Sequence, residues 1–299
     1  MSRHSIETMP LTSWAFQPGP GQIMLAWLGQ AGFLIRGQGR SVLVDPYLSD
    51  SLAAKYRGKE YPHVRMMPPP VSPDLLREID WVLCSHAHSD HMDPGTLPPL
   101  AAGNPSCRFV VPRAEMAVAL SRGVPPDRLV GVNAGERVEM GGGVVLEVIP
   151  SAHEELTTDE AGQHRFLGFI LRFGDYAIYH SGDCVPFAGQ AGLLAAARVD
   201  LALLPVNGRD AFRSSRGILG NFTFREAVEL CVAAGIPALL AHHVGMFDFN
   251  TLSPEQLRKE ASAAPPGLHC ILSSADAAVL IMADENALTG TLRTASCRF

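Results

Sequence analysis

The chain has 299 residues and a net charge of −6, with 47 % hydrophobic and 18 % charged residues. This composition supports a large core and excludes an intrinsically disordered chain. The acidic balance excludes a protein-wide basic surface, so nucleic acid is not an expected partner.

The sequence shows no targeting or membrane-spanning pattern. The first 22 residues lack the apolar core of about 7–15 residues of a secretory signal, and no apolar run approaches the ~20 residues that cross a bilayer. We therefore expect a cytoplasmic protein without a membrane span, and the sequence leaves a homo-oligomer open. The six cysteines form no Cys-x-x-Cys pair, which predicts reduced thiols rather than disulfides or a zinc finger. They are Cys84, Cys107, Cys184, Cys231, Cys270 and Cys297.

The first half of the chain begins with an N-terminal extension over residues 1–20. Short apolar runs separated by turn residues follow, as in an antiparallel meander. A segment rich in proline and charge covers 46–72, and a connection of this length in a compact domain predicts a lid over a functional site. The predicted strands are 23–29, 31–36, 41–45, 81–86 and 107–112, and the predicted helices follow Pro94 and cover 113–123.

The second half repeats this plan. Its predicted strands are 144–153, 165–174, 176–183, 199–206 and 237–245, with two more near the end of the chain, and its predicted helices are 187–197, 223–235 and 253–264. Thr223 and Ser253 are suitable N-caps, and Gly235 is a suitable helix end. Because strand groups followed by βα units occur twice, we predict one α/β domain over 1–299, a four-layer αββα sandwich with two facing sheets and outer helices.

The segment VLCSHAHSDHMD (82–93) contains the densest group of potential metal ligands. His86, His88, Asp90 and His91 follow a predicted strand directly, and imidazole and carboxylate groups are ligands of divalent metals. A loop after a strand can direct His86 and His88 to one point and Asp90 and His91 to a neighbouring one. Two metal ions about 3.5–4 Å apart require such crowding. A polar loop with ordinary hydrogen bonds is the alternative, and the density of the group favours metal ligation.

Further candidate ligands stand at the ends of other predicted strands. His153 and Asp183 each end an apolar run, and His242 and His243 end a third. Sites in α/β folds gather at the carboxyl ends of strands, so these residues are expected to join the first group.

These segments resemble the metallo-β-lactamase-fold hydrolase superfamily. The matching pieces are HAHSDH (86–91), PSAHE around His153, YHSGD ending at Asp183 and HHVGMF around His243. The resemblance implies the αββα sandwich and two divalent metal ions. It implies His86, His88 and His153 on one ion, Asp90, His91 and the last histidine on the other, and Asp183 bridging both.

Within that superfamily the chain is most similar to the L-ascorbate-6-phosphate lactonase-like group. WLGQAGFLIR (27–36), LVDPY (43–47) and HHVGMFDFNTLSPEQLR (242–258) carry this resemblance. In that group an aromatic residue follows the ligand histidine by four positions, so Phe247 selects His243 over His242. Zinc is the default metal for such nitrogen and oxygen ligands, iron is tolerated, and the resemblance adds manganese.

The expected function is hydrolysis. Two cations that share a water would supply hydroxide at neutral pH, which can attack an ester, lactone or phosphoester of a small anionic substrate. Asp90 is expected to hold that water as well as a metal. The alternatives are a phosphodiesterase acting on nucleic acid or phospholipid, and a non-catalytic metal-binding module.

Candidate substrate contacts come from two loops and two single residues. The loop 207–223 carries Arg209, Arg213 and Arg216, and the segment 46–72 carries Lys55, Arg57, Lys59, His63 and Arg65. Arginine can clamp an anionic group, although either loop can also be a solvated charged surface. We take His180, Arg209, Arg213 and Asn221 as the candidates that contact substrate. Asp45 is either a partner of the ligand loop or a turn-forming residue before Pro46.

Overall fold

The computed structural model describes residues 4–283. The outer parts of the predicted domain 1–299, and Cys297 with them, lie outside the described residues. Two mixed sheets of eight and seven strands form the centre of the fold.

Each sheet combines an antiparallel meander with parallel strands. The first sheet contains β1 (His4–Pro10), β2 (Gln22–Gly29), β3 (Gly32–Gly37), β4 (Arg40–Val44), β5 (Trp81–Leu83), β6 (Arg108–Pro112) and β7 (Leu129–Val132). The second contains β8 (Arg137–Gly141), β9 (Val144–Pro150), β10 (Leu167–Phe173), β11 (Tyr176–His180), β12 (Leu201–Pro205), β13 (Ala238–His242) and β14 (His269–Leu272). The strand β15 (Ala277–Ala283) returns to the first sheet between β1 and β2. Strands β4 to β7 are parallel, as are β11 to β14.

Side-chain alternation along the strands explains the layers. In β2, Leu25 and Trp27 point into the core between the sheets, where they pack with residues such as Leu146 from β9. Their neighbours Met24 and Ala26 point to the outer face of the first sheet. Since successive residues of a strand face opposite sides, a strand that is apolar throughout has to be covered on both faces.

Helices cover both outer faces. Over residues 4–283 they are α1 (Ser51–Lys55), α2 (Leu97–Gly103), α3 (Met116–Ser121), α4 (Gln190–Ala197), α5 (Ala211–Ser214), α6 (Phe224–Ala234) and α7 (Pro254–Ser262). The cores are separate: α2 and α3 pack on the first sheet, and α4, α6 and α7 pack on the second. The predicted αββα sandwich is therefore confirmed. None of the helices in this part of the chain is long and apolar enough to span a bilayer.

The predicted helix ends are also found. Thr223 and Ser253 each form a capping box at the start of their helix, and Gly235 ends α6 in the left-handed conformation. The segment 1–20 differs from the expected extension, because it contributes strand β1, which pairs along its length with β15. This strand escaped prediction because its residues are half-buried or exposed and lack a clear alternation.

Candidate metal centre

The candidate ligands lie on loops at the carboxyl ends of the central strands. His86, His88, Asp90 and His91 follow β5, and Asp183 follows β11 after a short turn. His243 comes directly after β13, which runs parallel to β11 in the second sheet with one strand between them. The parallel ends bring these loops to the same edge of the sandwich, so residues distant in sequence meet there.

The structure brings the expected ligands into three overlapping groups. In each group one ligand atom per residue lies within 4.8 Å of the others. The groups are His86 with His88 and His153, His86 with His91 and Asp183, and Asp90 with His91 and His243. The first and third match the two halves that the resemblance implied.

Asp183 lies between these halves. Its Oδ1 is 3.3 Å from Nε2 of His91 and 3.2 Å from Nε2 of His243. Its Oδ2 is 3.6 Å from Nε2 of His153. The two oxygens of one carboxylate therefore face histidines of different halves, which is the arrangement that a bridging ligand requires.

Asp45 orients the ligand loop, residues 86–91, through hydrogen bonds. Its Oδ2 lies 2.7 Å from Nδ1 of His91 and accepts a 2.6 Å hydrogen bond from the Ser85 hydroxyl. The same hydroxyl lies 2.9 Å from Nδ1 of His86. Both rings are thus held through Nδ1, which leaves Nε2 for a ligand, as the outer partners of metal-binding histidines usually do. Asp45 was expected to be either a partner of the ligand loop or a turn-forming residue before Pro46. The structure shows that it contacts the ligand loop.

His243 and His242 have different surroundings. The Nε2 of His243 faces Asp183 at 3.2 Å, whereas the ring of His242 stacks on His180 and packs edge-on against Phe33 in the core. His243 has a φ of 63°, so the chain leaves the extended strand geometry at this residue. Its position agrees with the choice of His243 over His242.

Gln30 is a residue of the centre that the sequence did not indicate. Its side-chain amide donates a 2.8 Å hydrogen bond to Oδ2 of Asp90, and its carbonyl accepts a hydrogen bond from the backbone N–H of His243. Its φ of 51° is also left-handed. Non-glycine residues in this region store strain and cluster at functional sites, which is the signal that the structure supplies and the sequence does not.

The donor set fits divalent cations. Among the described residues, Nε2 of His86, Nε2 of His91, Nε2 of His243 and Oδ1 of Asp183 are buried without a partner in hydrogen-bond geometry. Such atoms cost free energy when buried, and bound cations would satisfy them. Neutral imidazole and ionised carboxylate groups are ligands that zinc, manganese and iron accept.

The electrostatics of the cluster favour neutral imidazole at His86 and His153 and an ionised carboxylate at Asp183, the forms that bind a metal. Burial lowers the pKa of His86 well below its ordinary value and that of His153 to about 4. Burial disfavours the charged form of Asp183, but the neighbouring His243 and His91 outweigh it and hold its pKa well below the usual range. His91 shows the reverse shift, because Asp183, Asp45 and Asp90 together overcome burial and raise its pKa. Metal binding at His91 would therefore displace a proton.

A cavity of about 740 Å³ opens above the centre. The segment 46–72, the expected lid, contributes to its wall, together with the loop before α6 and the loop after β13. Its lining includes Leu52, Lys55, Tyr56, Lys59, Glu60, Tyr61, His63, Arg216, Ile218, Phe247 and Phe249. A cavity of this size accommodates a small molecule.

Two of the expected substrate contacts, His180 and Asn221, have other roles. His180 is buried, with Nε2 at 2.8 Å from the carbonyl of Ala31 and Nδ1 accepting from the N–H of Gly182. Asn221 is also fully buried, and its amide oxygen accepts from the backbone N–H of Cys184. Neither residue lines the cavity. Both support the turn that carries Asp183, so the structure places neither at the cavity where substrate contact was expected.

The arginines of the loop 207–223 also differ in position, because two of them pair with other residues and one lines the cavity. Arg209 makes two hydrogen bonds with the carboxylate of Glu226, and Arg213 bonds the carboxylate of Asp210 and the side chain of Asn250. Within the described chain, neither lines the cavity, whereas Arg216 does. The structure therefore places Arg216 at the cavity, and Arg209 and Arg213 away from it.

The comparisons with known proteins agree with this geometry. The sequence family described as "Beta-lactamase superfamily domain" matches residues 40–244. A UPF0173 metal-dependent hydrolase of Caldivirga maquilingensis is 25 % identical over 244 residues, which cover 81 % of this chain and 91 % of the relative. A UPF0173 metal-dependent hydrolase of Methanoregula boonei is 30 % identical over 192 residues, which cover 62 % and 70 %.

Solved structures show the same fold at lower identity. Igni18, a metallo hydrolase from Ignicoccus hospitalis, has a TM-score of 0.63 at 17 % identity and covers 87 % of this chain and 98 % of its own. An isothiocyanate hydrolase from Delia radicum gut bacteria has a TM-score of 0.67 at 16 % identity and covers 85 % and 97 %. These likenesses concern the fold alone. By the matches in sequence, the chain belongs to the beta-lactamase superfamily and, within it, to the UPF0173 metal-dependent hydrolases.

Proposed function

We propose that the chain is a hydrolase that uses two divalent cations to cleave an ester, lactone or phosphoester bond of a small anionic substrate. The observation that supports two cations best is the position of Asp183, whose two carboxylate oxygens face histidines of different halves. His86, His88 and His153 would hold one cation, and Asp90, His91 and His243 would hold the other. Zinc is the first choice for this donor set, with manganese or iron as alternatives.

When bound, the two cations would lower the pKa of a shared water towards ~7 and polarise the oxygen of the bond to be cleaved. Residues around the candidate ligands would orient them for this chemistry. Asp45 and Ser85 fix the rings of His91 and His86. Asp90 is the more exposed of the two carboxylates, with 17 % of its side chain accessible against 6 % for Asp183. It would accept a hydrogen bond from the attacking water.

The cavity wall supports an anionic substrate. Lys55, Lys59 and Arg216 line it, and Glu60 is the acidic residue of the wall outside the metal centre. In a cleft with low-dielectric walls these cations and the two metal charges attract an anion more strongly than they would in water. A lactone or ester that carries a phosphate or carboxylate group, as in the ascorbate-6-phosphate lactonase-like group, is the substrate class to test first.

The test combines metal analysis with a substrate panel. The purified chain is loaded with zinc or manganese and assayed on lactones, phosphodiesters and phosphomonoesters, each with a matched neutral compound. We expect two metals per chain and hydrolysis of the anionic members. His86→Ala and Asp183→Ala should lose hydrolysis and bind less metal.

His242→Ala is the matched control for His243→Ala. The first variant should retain both metals while losing stability, because His242 packs in the core. The second should lose metal. Full activity in protein freed of metal would contradict the proposal, and full activity with a single metal per chain would contradict its binuclear part.

A further inference from the structure

His63 is a titratable side chain of the cavity that the metal centre does not use. It lies on the lid segment 46–72 and lines the same cavity as His88, Asp90, Asp183 and His243. It is half-buried, and it is separated in sequence from every candidate ligand. Because it lines the cavity and belongs to none of the candidate ligand groups, its ring is available for chemistry on a substrate in that cavity.

One hydrogen bond fixes the tautomer of this ring. The Nδ1 atom of His63 lies 2.7 Å from the carbonyl oxygen of Tyr61. A carbonyl oxygen only accepts hydrogen bonds, so Nδ1 carries the hydrogen. In the neutral ring Nε2 therefore has a free lone pair. No described residue hydrogen-bonds to that atom. The ring thus offers an unoccupied proton acceptor on a residue that lines the cavity.

Aromatic side chains hold the ring in place. His63 stacks on Tyr56, with centroids 4.1 Å apart and an angle of 20° between the planes. It meets Phe247 and Phe249 edge-on, at 5.0 and 4.8 Å. The last two residues follow His243 by four and six positions, so the segment 46–72 and the loop after β13 share this contact. The φ of His63 is 52°, a left-handed conformation that costs free energy and that tertiary contacts have to maintain.

Burial favours the neutral ring of His63 before reaction, and the groups around it allow it to accept a proton. Burial lowers the pKa of His63, the hydrogen bond to the Tyr61 carbonyl and the charge of Asp90 oppose this shift, and Lys55 lowers the pKa further. The other charged or titratable groups of the wall and floor are Tyr56, Lys59, Glu60, Tyr61, His88, His153, Asp183, Arg216 and His243. Neutral imidazole is the form that can take up a proton and release it within one turnover.

We propose that His63 is a catalytic residue that transfers a proton from the attacking water to the leaving oxygen of the substrate. This role rests on the proposed hydrolysis. The water oxygen forms a bond to the carbonyl carbon or the phosphorus, and the proton it releases moves to Nε2 of His63. The bond to the leaving oxygen then breaks with its electron pair on that oxygen, which takes the proton from Nε2. The products are the acid and the alcohol, and His63 is neutral again.

The test varies the leaving group. An alkyl ester leaves as a strongly basic alkoxide that needs a proton, whereas a 4-nitrophenyl ester of the same acid leaves as a stable anion. His63→Phe keeps an aromatic ring between Tyr56 and Phe249 but has no nitrogen. We expect kcat for the alkyl ester to fall by about 100-fold or more, within the usual range of general acid–base catalysis. For the nitrophenyl ester it should fall by less than about 5-fold, because little protonation is needed.

Two further variants separate chemistry from structure. His63→Ala should regain activity on the alkyl ester when imidazole is added, and His269→Phe, on the exposed start of β14, should behave as wild type. Both His63 variants should bind as much metal as wild type. Equal losses on both esters, no loss on either, or no rescue by imidazole would overturn the proposal.

A measurement on the metal-free protein tests the tautomer directly. Nitrogen NMR should show the Nδ1–H form of His63 at pH 7 and a pKa below 6.5, the ordinary value for histidine. A ring protonated on Nε2, or on both nitrogens at pH 7, would overturn the assignment. If the wild type binds two metals and His63 has the expected tautomer but neither ester is cleaved, the proposed hydrolysis itself is contradicted, and the role of His63 is rejected with it.

Discussion

The imidazole Nδ1 of His91 lies 2.7 Å from Oδ2 of Asp45, and both side chains are fully buried. Asp45 directly follows β4, and its φ of 44° places it in the left-handed region. It accepts two hydrogen bonds from Ser85 as well, one from the backbone N–H and one from the hydroxyl. This one carboxylate therefore fixes the ligand loop at its start and at its last histidine.

We predict that Asp45→Asn weakens metal binding while the fold persists. The amide has no charge to support the Nδ1–H tautomer of His91, and the loss of such a partner typically costs 10- to about 100-fold in metal affinity. The measurement is zinc affinity by competition with a chelator. Asp175→Asn, at the exposed turn between β10 and β11, is the matched control. An unchanged affinity in Asp45→Asn would show that the His91 ring is oriented without it.

Arg216 and Arg209 provide a matched test of the anionic-substrate proposal. Arg216 lines the cavity, whereas both terminal nitrogens of Arg209 are bonded to Glu226. We predict that Arg216→Ala raises KM for an anionic substrate several-fold with little change in kcat, because a contact made equally in the ground and transition states acts on KM. The effect should shrink at high salt.

Arg209→Ala should leave KM unchanged and lower stability slightly, since its ion pair lies near the surface. The readouts are kinetics at two salt concentrations and thermal unfolding. Equal KM values for wild type and Arg216→Ala, at low salt and on the anionic member, would contradict a binding role for this cation.

The clustering of the candidate ligands could be predicted from sequence because they form a local pattern. Three histidines and an aspartate within six positions after a strand have few other uses, and the remaining groups stand at strand ends, where the topology brings them together. His243 was selected by its spacing to Phe247, and its ring faces Asp183 in the structure. The layers of the fold followed from the two repeated groups of strands in the same way.

The substrate-contact candidates were less predictable, because their partners are distant in sequence. His180 is satisfied by Ala31, which lies 149 positions away, and Arg209 is neutralised by Glu226 on a later helix. Gln30 lacks any local signal, since its contact with Asp90 arises only when the turn after β2 meets the ligand loop. A polar residue on a loop reveals its role only when the groups that compete for it are known.

His153 should make the metal-free protein sensitive to acid. Burial lowers its pKa to about 4 in the folded state, against about 6.5 in the unfolded chain. As the pH falls below 6.5, His153 becomes protonated in the unfolded state but stays neutral in the folded state. Stability therefore decreases until about pH 4. We estimate a loss of about 2 kcal/mol from this residue between pH 8 and pH 5.

The measurement is urea unfolding of chelator-treated protein at pH 8 and at pH 5, for wild type and His153→Leu. The variant lacks the titrating group, so the wild type should lose more stability over this range. The comparison removes the contributions of His86 and His91, which both proteins share. Equal losses in the two proteins would show that His153 is protonated as readily in the folded state as in the unfolded one.

Gly182 places the turn before Asp183 against the ligand loop. Its φ is 62°, and a Cβ added there would lie 2.7 Å from both Cβ and Oγ of Ser85. Gly162 has a φ of 75° and no atom within 4 Å of the same position. Both Gly→Ala variants should therefore lose about 1–2 kcal/mol of stability, because alanine disfavours the left-handed conformation. Only Gly182→Ala also displaces Ser85, whose hydroxyl contacts Asp45 and His86.

We predict that Gly162→Ala lowers the melting temperature by a few degrees and leaves metal affinity unchanged. Gly182→Ala should lower both, with at least about a 10-fold loss of zinc affinity, because a shifted Ser85 releases the Nδ1 contacts that orient two ligand rings. The readouts are thermal unfolding of the metal-free proteins and chelator competition. Matching metal affinities in the two variants would mean that Ser85 can move without disturbing His86 and His91, and that the close packing of the two loops serves stability alone.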